Sequence, residues 1–565
     1  MHQSHFLGEC HLGHLSEKSI EIAPGFVLPS GIYYSTVSQS IIGSSSLVYR
    51  VGLLSRYIVQ EECALINCNS ITFSESSSFG NGLDVQCGMQ NGNRAIPLCA
   101  DLDLALAIRL ILDDPHGNAR CEYRDLIVCY LSACTSKIGV IESQTRISNI
   151  NKISDSYIGS AAIIDGAAMI QNSTLLSESA DPVQIRDGVC LSDSILQCGT
   201  RVTSMARIRR SLLLEHCEVE RHGQVTHSIV GPNSIIAEGE VTSSLVGPFV
   251  AAHHQSLLIS ALWPSGRGNI GYGANVGSNH TSKQADQEIF VGEGVFFGLG
   301  VNIKFPANYL SAPYSIIATA VNTLPQSVEF PFSLIIQPTE ILSGFSPVFN
   351  EIIPGCVLSD NIYMIFRARK KFQERNRARK TTFATDILHF DLMKMVQTAL
   401  NRLSNVSNKE IYLEQDIPGL GKNFLKEQNR LKAIQIYQYY LKYYALTGLL
   451  REIKKLSLHR ELSYSDIPLQ ERWIEEWSFF QSEGLTQHTI SQNLLLLGQM
   501  QQNIADQVEQ SKAKDDHRGQ KIIPNYDQYA IPAQMDAIVK MIHQETRFVL
   551  QEIHQFLQKI TPYRA

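Results

Sequence analysis

Two adjacent histidines, His253 and His254, precede a glycine- and asparagine-rich segment carrying Arg267, Asn275, Asn279 and His280, and Lys304 follows it. Histidine titrates near neutrality and can take a proton from a hydroxyl or amine, while lysine, arginine and asparagine can hold a phosphate or a developing oxyanion. That set suits group transfer to a sugar-like acceptor. His254 and His280 are the candidate bases, and His253, Arg267, Asn275, Asn279 and Lys304 the candidate substrate-binding groups. The same residues also fit a non-catalytic arrangement, in which a glycine-rich loop tucks against the fold and His and Asn satisfy its buried backbone groups. A second histidine group, His216, His222 and His227, raises the question of a metal.

What positions these residues is a repeat. From about 156 to 246 a serine followed by branched apolar residues recurs roughly every seventeen positions, beginning at Ser156, Ser173, Ser194, Ser211, Ser228 and Ser244, with an earlier copy at Ser40. Inside it runs a shorter period. Ile158, Ile164, Ile170 and Leu176 lie six apart, and Leu196, Val202, Ile208, Leu213, Val219, Val225, Val230 and Ile236 lie five or six apart. An antiparallel barrel or a helical repeat would place inward residues at intervals of two or about 3.6 instead. The spacing predicts a β-solenoid of triangular coils, each unit one short strand and a corner, with one apolar residue per unit facing inward. Small residues such as Ser44, Ala162, Ala168 and Gly199 are expected at the tight corners.

These phrases, Ser228-Ile-Val-Gly-Pro-Asn-Ser-Ile-Ile236 among them, resemble the hexapeptide-repeat proteins, whose fold is a left-handed parallel β-helix. The handedness is implied by the resemblance alone. They are similar to the β-helical tails of nucleotide-sugar pyrophosphorylases and to acyltransferases built on the same coil. Over roughly residues 35 to 365 the chain resembles an uncharacterised family of long hexapeptide-repeat proteins, through Gly247-Pro-Phe-Val-Ala-Ala-His-His254 onward, Gly277-Ser-Asn-His280 and Ala312-Pro-Tyr-Ser-Ile-Ile-Ala-Thr319. The acyltransferase resemblance implies a trimer with a histidine general base in an intersubunit groove, and acyl-coenzyme A or a nucleotide-sugar as cofactor. No motif aligns His254 or His280 with that histidine. Some hexapeptide proteins, such as the γ-class carbonic anhydrases, bind zinc through histidines. Here spacings of six and five set His216, His222 and His227 on different faces of a prism, so no metal is expected within one subunit.

Two functional classes remain open. One is a transferase-like protein acting on or binding a nucleotide-linked or phosphorylated sugar; the other is a non-catalytic β-helix that binds a ligand or holds an assembly together. A pyrophosphorylase is excluded, because Gly80-Asn-Gly82 and Arg94-Ala-Ile-Pro-Leu98 have no nucleotide-binding βαβ unit before them, and Gly419-Leu-Gly-Lys422 lacks the spacing of a Walker loop.

Composition divides the chain. All twelve cysteines lie at or before Cys356, and they show no metal-finger spacing, so they read as reduced, small apolar fillers. The expected organisation is an irregular cap over 1–35, first coils over 36–91, a helical insertion over 92–135, the main β-helix over 136–340 with a long loop at 261–288, and a C-terminal α-helical domain over 341–565. Helices are expected over 383–403, 425–456, 485–510 and 530–560, with 515–527 a connection. No secretory leader or bilayer-length apolar run is evident, so the expectation is a cytoplasmic protein without a membrane span. The net charge of -6 argues against a nucleic-acid binder. The segment 367–380, eight bases against one acid, runs against that balance and reads as a solvated helix face or a strap across the β-helix end, with contact to an anionic ligand or nucleic acid as the alternative.

Overall fold

In the computed structural model each five- or six-residue unit is a two- or three-residue strand followed by a corner, and three such units close one coil. Residues 1–560 are described apart from 17, 90–93, 278–287, 305, 341, 457–461 and 469. The chain forms two units, one of Met1–Asn308, Ile317–Gln326 and Asn376–Thr382, the other of Tyr309–Ile316, Ser327–Arg375 and Phe383–Ala565. The first is a parallel β-solenoid and the second is mainly helical, the fold class that the repeat predicts.

A typical coil runs through Arg146–Ser148 on face A, Lys152–Ser154 on face B and Tyr157–Ile158 on face C. Among the described residues, faces B and C each stack fourteen strands. The second residue of each of these strands enters the core: Leu196, Val202, Leu213, Val219, Val225 and Val230 are all 0% exposed. Burial of each such side chain stabilises by about 1.5–3 kcal/mol. The six-residue step slips once, so Leu175 rather than Leu176 fills the column.

The repeated serine has a specific task. Ser194 Oγ donates to Ser192 O (2.6 Å) and accepts from Ser211 N (3.1 Å) in the next coil. Ser211 Oγ likewise donates to Arg209 O (2.8 Å) and accepts from Ser228 N (3.1 Å), and Ser228 and Ser244 extend the chain to Ala261. Each serine is fully buried, so its hydroxyl satisfies a backbone N–H that no water reaches. One coil after Ser40, whose Oγ donates to Ser38 O (2.7 Å) and accepts from Tyr57 N (3.2 Å), Tyr57 takes the serine place. Its hydroxyl skips a coil to bond Ser156 N (3.1 Å) and O (3.2 Å), and the intervening residue is Gly139, whose Cβ would lie 2.3 Å from the Tyr57 ring.

Corners differ from the expectation of small residues. Gly199 does have φ +69, but most corners with positive φ are polar or charged: Asn149, Asp155 and Ala161 close one coil at φ 54, 51 and 54. A left-handed non-glycine conformation costs free energy, offset here because each corner N–H is held by the coil before, as in His216 N to Cys198 O (3.0 Å). His216, His222 and His227 are themselves corner residues at φ 53, 60 and 49, one on each of the three edges. They therefore point apart, as their spacing predicts, and among the described residues no group of three or more metal-ligating side chains converges.

The expected irregular cap already contains a coil, since His5–Leu7 and His11–Leu12 pair in parallel with the following strands. The insertion begins with a hairpin of Asp84–Gln86 and Ala95–Pro97 and continues as α1 (Leu104–Leu112) and α2 (Asn118–Cys134). It explains why the outward residue of each repeated pair is apolar. Ile195, Leu212, Ile229, Leu245 and Leu262 face outward on face C yet are 0% exposed, because Leu98, Leu102, Leu110, Ile111 and Tyr123 cover them. Of the segment expected to be a long loop, 261–277 continues the coils, with Ala261–Trp263, Asn269–Ile270 and Asn275–Val276 as strands, and 278–287 lies outside the described residues. Its glycines admit bulk, since a Cβ on Gly268 would lie 2.0 Å from the buried Trp263 ring.

The second unit holds a small mixed sheet that periodicity did not announce, in which Asn350–Ile353 pairs antiparallel with Leu334–Ile336 and parallel with Asn423–Lys426. Its helices are α3 (Cys356–Ser359), α4 (Ile362–Arg375), α5 (Phe390–Ser404), α6 (Glu427–Ile453), α7 (Glu471–Ser482), α8 (Ile490–Ile522), α9 (Tyr526–Tyr529) and α10 (Ala537–Ile560). The supposed connection from 515 is the exposed end of α8, polar because it faces solvent and helical because Lys, Asp and Gln tolerate a helix. Among the described residues no helix is long and apolar enough to cross a membrane.

Two outcomes check this account. Gly139→Ala should destabilise the protein by about 1–3 kcal/mol through overpacking against Tyr57. The double change Gly139→Ser with Tyr57→Ser, which restores the ladder pattern, should recover much of that in urea unfolding; equal loss in both would refute the packing account. Burial holds the His216 imidazole below its ordinary pKa, with Asp181 opposing and Arg377 and Arg379 assisting. The unfolded chain then binds a proton that the folded chain refuses, so stability falls as pH drops below about 6.5. His216→Asn, tolerated at positive φ, should flatten that fall in urea midpoints between about pH 7 and 5.

Candidate ligand-binding cavity on the coiled unit

The outer wall of face C, the start of α1 and a strap from the C-terminal half of the chain border an open-sided cavity of about 720 Å³. The strap is Asn376–Thr382, part of the coiled unit. It is the second half of the basic segment, whose first half lies in α4. Glu215, 1% exposed, holds the strap by its backbone, accepting from Arg379 N (2.9 Å) and Lys380 N (2.9 Å). Ion pairs add to this: Arg379 Nε to Asp181 (2.9 Å), Lys380 Nζ to Glu178 (3.2 Å) and Arg377 to Glu218 (3.4 Å). Asn233 bonds Arg377 N through its Oδ1 and Asn376 Oδ1 through its Nδ2, each at 3.0 Å. Burial opposes the Lys380 charge, but Glu178 and Glu215 outweigh it and raise the ammonium pKa.

At the opposite wall Asp103 caps α1, accepting from Leu106 N (2.7 Å), and Gln197 Nε2 ties the coil to the insertion through Ala100 O (3.3 Å) and Leu102 O (3.2 Å). On the floor Glu142 is fixed by both oxygens, one accepting from Tyr157 Oη (2.5 Å) and the other from Ser160 N (3.0 Å). Burial, and then the Glu142 carboxylate, push the Tyr157 phenol far above its ordinary pKa, so it stays a neutral donor. Asp101, Asp103, Glu142, Glu178 and Glu215 thus line the cavity against a single base, Lys380, with Ser160, Ser177, Thr381 and Thr382 between them. Carboxylates accept hydrogen bonds and draw in positive charge. At 4 Å and an effective dielectric of 20, a like charge is opposed by about 4 kcal/mol.

The residues singled out by type and spacing lie elsewhere. His253 ends the face A strand Ala251–His253, and His254 follows at the corner with φ 51, its Nδ1 3.3 Å from Glu238 Oε2 and its ring 5.8 Å from that of His253. Asn275 opens a face B strand near the same edge, and its Oδ1 is buried without a hydrogen-bond partner. Arg267 sits on a different edge, its side chain buried and ion-paired with Glu293 at 3.0 Å. Lys304 is exposed, past the end of the face B strand Asn302–Ile303. Asn279 and His280 lie outside the described residues. So His253, His254 and Asn275 share an edge, while Arg267 and Lys304 do not join them there. None of these five lines the acidic cavity.

The cavity was missed because its residues come from three distant stretches. One signal was available: Glu178, Asp181, Glu215 and Glu218, at the same edge of coils two turns apart, complement the bases Arg377, Arg379 and Lys380. All twelve cysteines are free thiols, Cys121 and Cys129 exposed on α2 rather than filling a core, and burial raises the pKa of Cys198 beside the strap.

Comparison with known proteins gives a family and no activity. An uncharacterized protein of Treponema pallidum (strain Nichols) is 26% identical over 395 residues, 67% of this chain and 53% of that relative, so the chain spans about half the length of the protein it matches. The family model for a domain of unknown function, DUF4954, matches residues 1–408, the coils, the insertion and the strap together. The chain belongs to the DUF4954 family.

Proposed function

We propose that the protein is a ligand-binding β-helix whose acidic cavity takes a small hydroxylated molecule bearing a positive charge, of the amino-sugar class. The observation that carries this reading is the lining of five carboxylates and one lysine around about 720 Å³. Hydroxyls and an ammonium group are donors, and the wall offers acceptors. A phosphorylated or nucleotide-linked sugar, or the pyrophosphate of acyl-coenzyme A, would meet like charge at each wall. Calorimetric titration with glucosamine, glucose and glucosamine 6-phosphate tests the reading. Glucosamine should bind best, the phosphate should abolish binding, and Glu142→Gln should weaken glucosamine by about ten- to a hundredfold, the worth of a charge-assisted hydrogen bond. Equal binding of all three, or none, would sink it.

A second reading rests on His254. Its ring is exposed and its Nδ1 lies 3.3 Å from Glu238 Oε2, the contact by which a carboxylate orients a histidine base, which supports acyl transfer to a sugar hydroxyl, with an acyl-coenzyme A or nucleotide-sugar donor, His280 as the other candidate base and a trimer as the assembly. Thermal stabilisation of the wild type by acetyl-coenzyme A, lost in His254→Ala, would favour it over the cavity.

The strap governs access to the cavity in the first reading. Glu215→Gln keeps one acceptor oxygen but loses the charge that holds two backbone N–H groups, so trypsin should cut at Arg377 to Lys380 about tenfold faster or more, while saturating glucosamine should slow the cut. An unchanged cleavage rate would show that Glu215 does not hold the strap.

A further inference from the structure

The carboxylates of the acidic cavity are not equally committed. Glu142 is held by Tyr157 and Ser160, and Asp103 caps α1. Glu215 accepts from Lys380 N with both oxygens, at 2.9 and 3.2 Å, and from Arg379 N as well. Each of these three is fixed by a group that belongs to the fold. Glu178 differs, because the partner of its carboxylate is the mobile end of a side chain, the Lys380 ammonium at 3.2 Å. Asp101 forms no ion pair among the described residues, but it stands apart on the insertion side. A smaller cavity in the helical unit, about 210 Å³, shows the contrast: its Arg369, Arg451 and Arg472 are each fixed to a carboxylate.

Three observations make the pair of Glu178 and Lys380 a place for an ammonium rather than a strut. The two side chains are 54% and 60% exposed, and an ion pair so exposed adds little stability. Lys380 is tied to the fold by its backbone, through Glu215, so its side chain can leave while the strap stays. Carboxylates also crowd this point. Burial raises the neighbouring Cys198 thiol pKa first; then Lys380 lowers it, and Glu215, Glu178 and Asp181 raise it. Of those three, Asp181 is paired with Arg379 (2.9 Å) and Glu215 with the strap backbone, which leaves Glu178 as the acceptor an incoming cation can take. What sits there already is a primary ammonium, the group that an amino sugar carries.

On the amino-sugar reading of the cavity, on which this rests, we infer that Glu178 is the ammonium subsite and that Lys380 is its tethered occupant, displaced when an amine-bearing ligand binds. The lysine then sets specificity. An amine replaces one charge-assisted hydrogen bond to Glu178 by another, whereas a neutral sugar has no ammonium to exchange. Lys380 swings on a flexible four-carbon stem, so the exchange requires no movement of the backbone.

Calorimetric titration of glucosamine into the full chain and its variants tests the assignment. Lys380→Gln, which keeps its backbone N–H on Glu215, should bind glucosamine about fivefold more tightly than the wild type, the scale of an exposed ion pair that no longer has to be broken. Lys380→Arg, which keeps the charge, should show no such gain. Glu178→Gln should weaken glucosamine about tenfold, and adding Lys380→Gln to it should restore little, because ligand and lysine then share no carboxylate. Glucose should bind the wild type and Lys380→Gln alike. Absence of glucosamine binding to the wild type would end the amino-sugar reading and the assignment with it. Where the wild type does bind glucosamine, three results overturn the assignment alone: unchanged or weaker binding to Lys380→Gln, an equal gain from Lys380→Gln in the Glu178→Gln background, or a smaller loss from Glu178→Gln than from Asp101→Asn.

Discussion

A serine hydroxyl that bonds two coils at once is the contact on which the β-helix depends. Strand pairing leaves the backbone between strands without partners wherever the chain turns, and the interior holds no water to supply them. Ser194, Ser211, Ser228 and Ser244 close that gap, each donating within its own coil and accepting from the next. Each such bond contributes only about 1 kcal/mol net, but leaving its backbone N–H buried and unpaired would cost more. The ladder also sets the register, because a one-residue slip would turn every inward residue outward. Tyr57 and Gly139 are the same constraint met by other means: a longer donor crosses one coil, and the glycine makes room for it.

Once register is set, the corners become places where unusual residues are affordable. A left-handed backbone held by the coil before it accepts Asn, Asp, Arg or His, and the side chain it carries stands on an edge of the prism. That is where His216, His222, His227 and His254 stand, and it is why histidine in this chain speaks first of geometry and only then of chemistry. The edge between faces C and A is the one put to further use. There Glu215, Asp181 and Glu218 secure the strap, and the insertion covers the neighbouring face, so that a cavity forms between parts that could not build it separately.

The family match reaches residue 408 and so takes in everything that builds this cavity, while most of the helical unit lies beyond it. The two cavities also differ in electrostatic character. One presents carboxylates and the other guanidinium groups, paired with carboxylates, beside an apolar wall. Nothing in either requires the other to be filled.

The column of branched residues, its period and the serine before each pair were legible from the sequence, because a solenoid repeats the same environment and therefore the same residue type. The outward member of each pair carried information that periodicity alone did not release: Ile195, Leu212 and Ile229 are apolar because the insertion covers them. The glycines from 266 to 273 looked like a loop, since a glycine needed beside Trp263 and one needed for a turn are written with the same letter. In the helical unit, the amphipathic stripes announced α5, α6, α8 and α10, but strands as short as Asn350–Ile353 carry too few residues to show a period. What the sequence by itself determined was the local, repeating part, in which each residue answers to neighbours one coil away. Tertiary structure decided the site, because Glu142, Glu215 and Lys380 are brought together across long stretches of chain by packing that leaves no periodic trace.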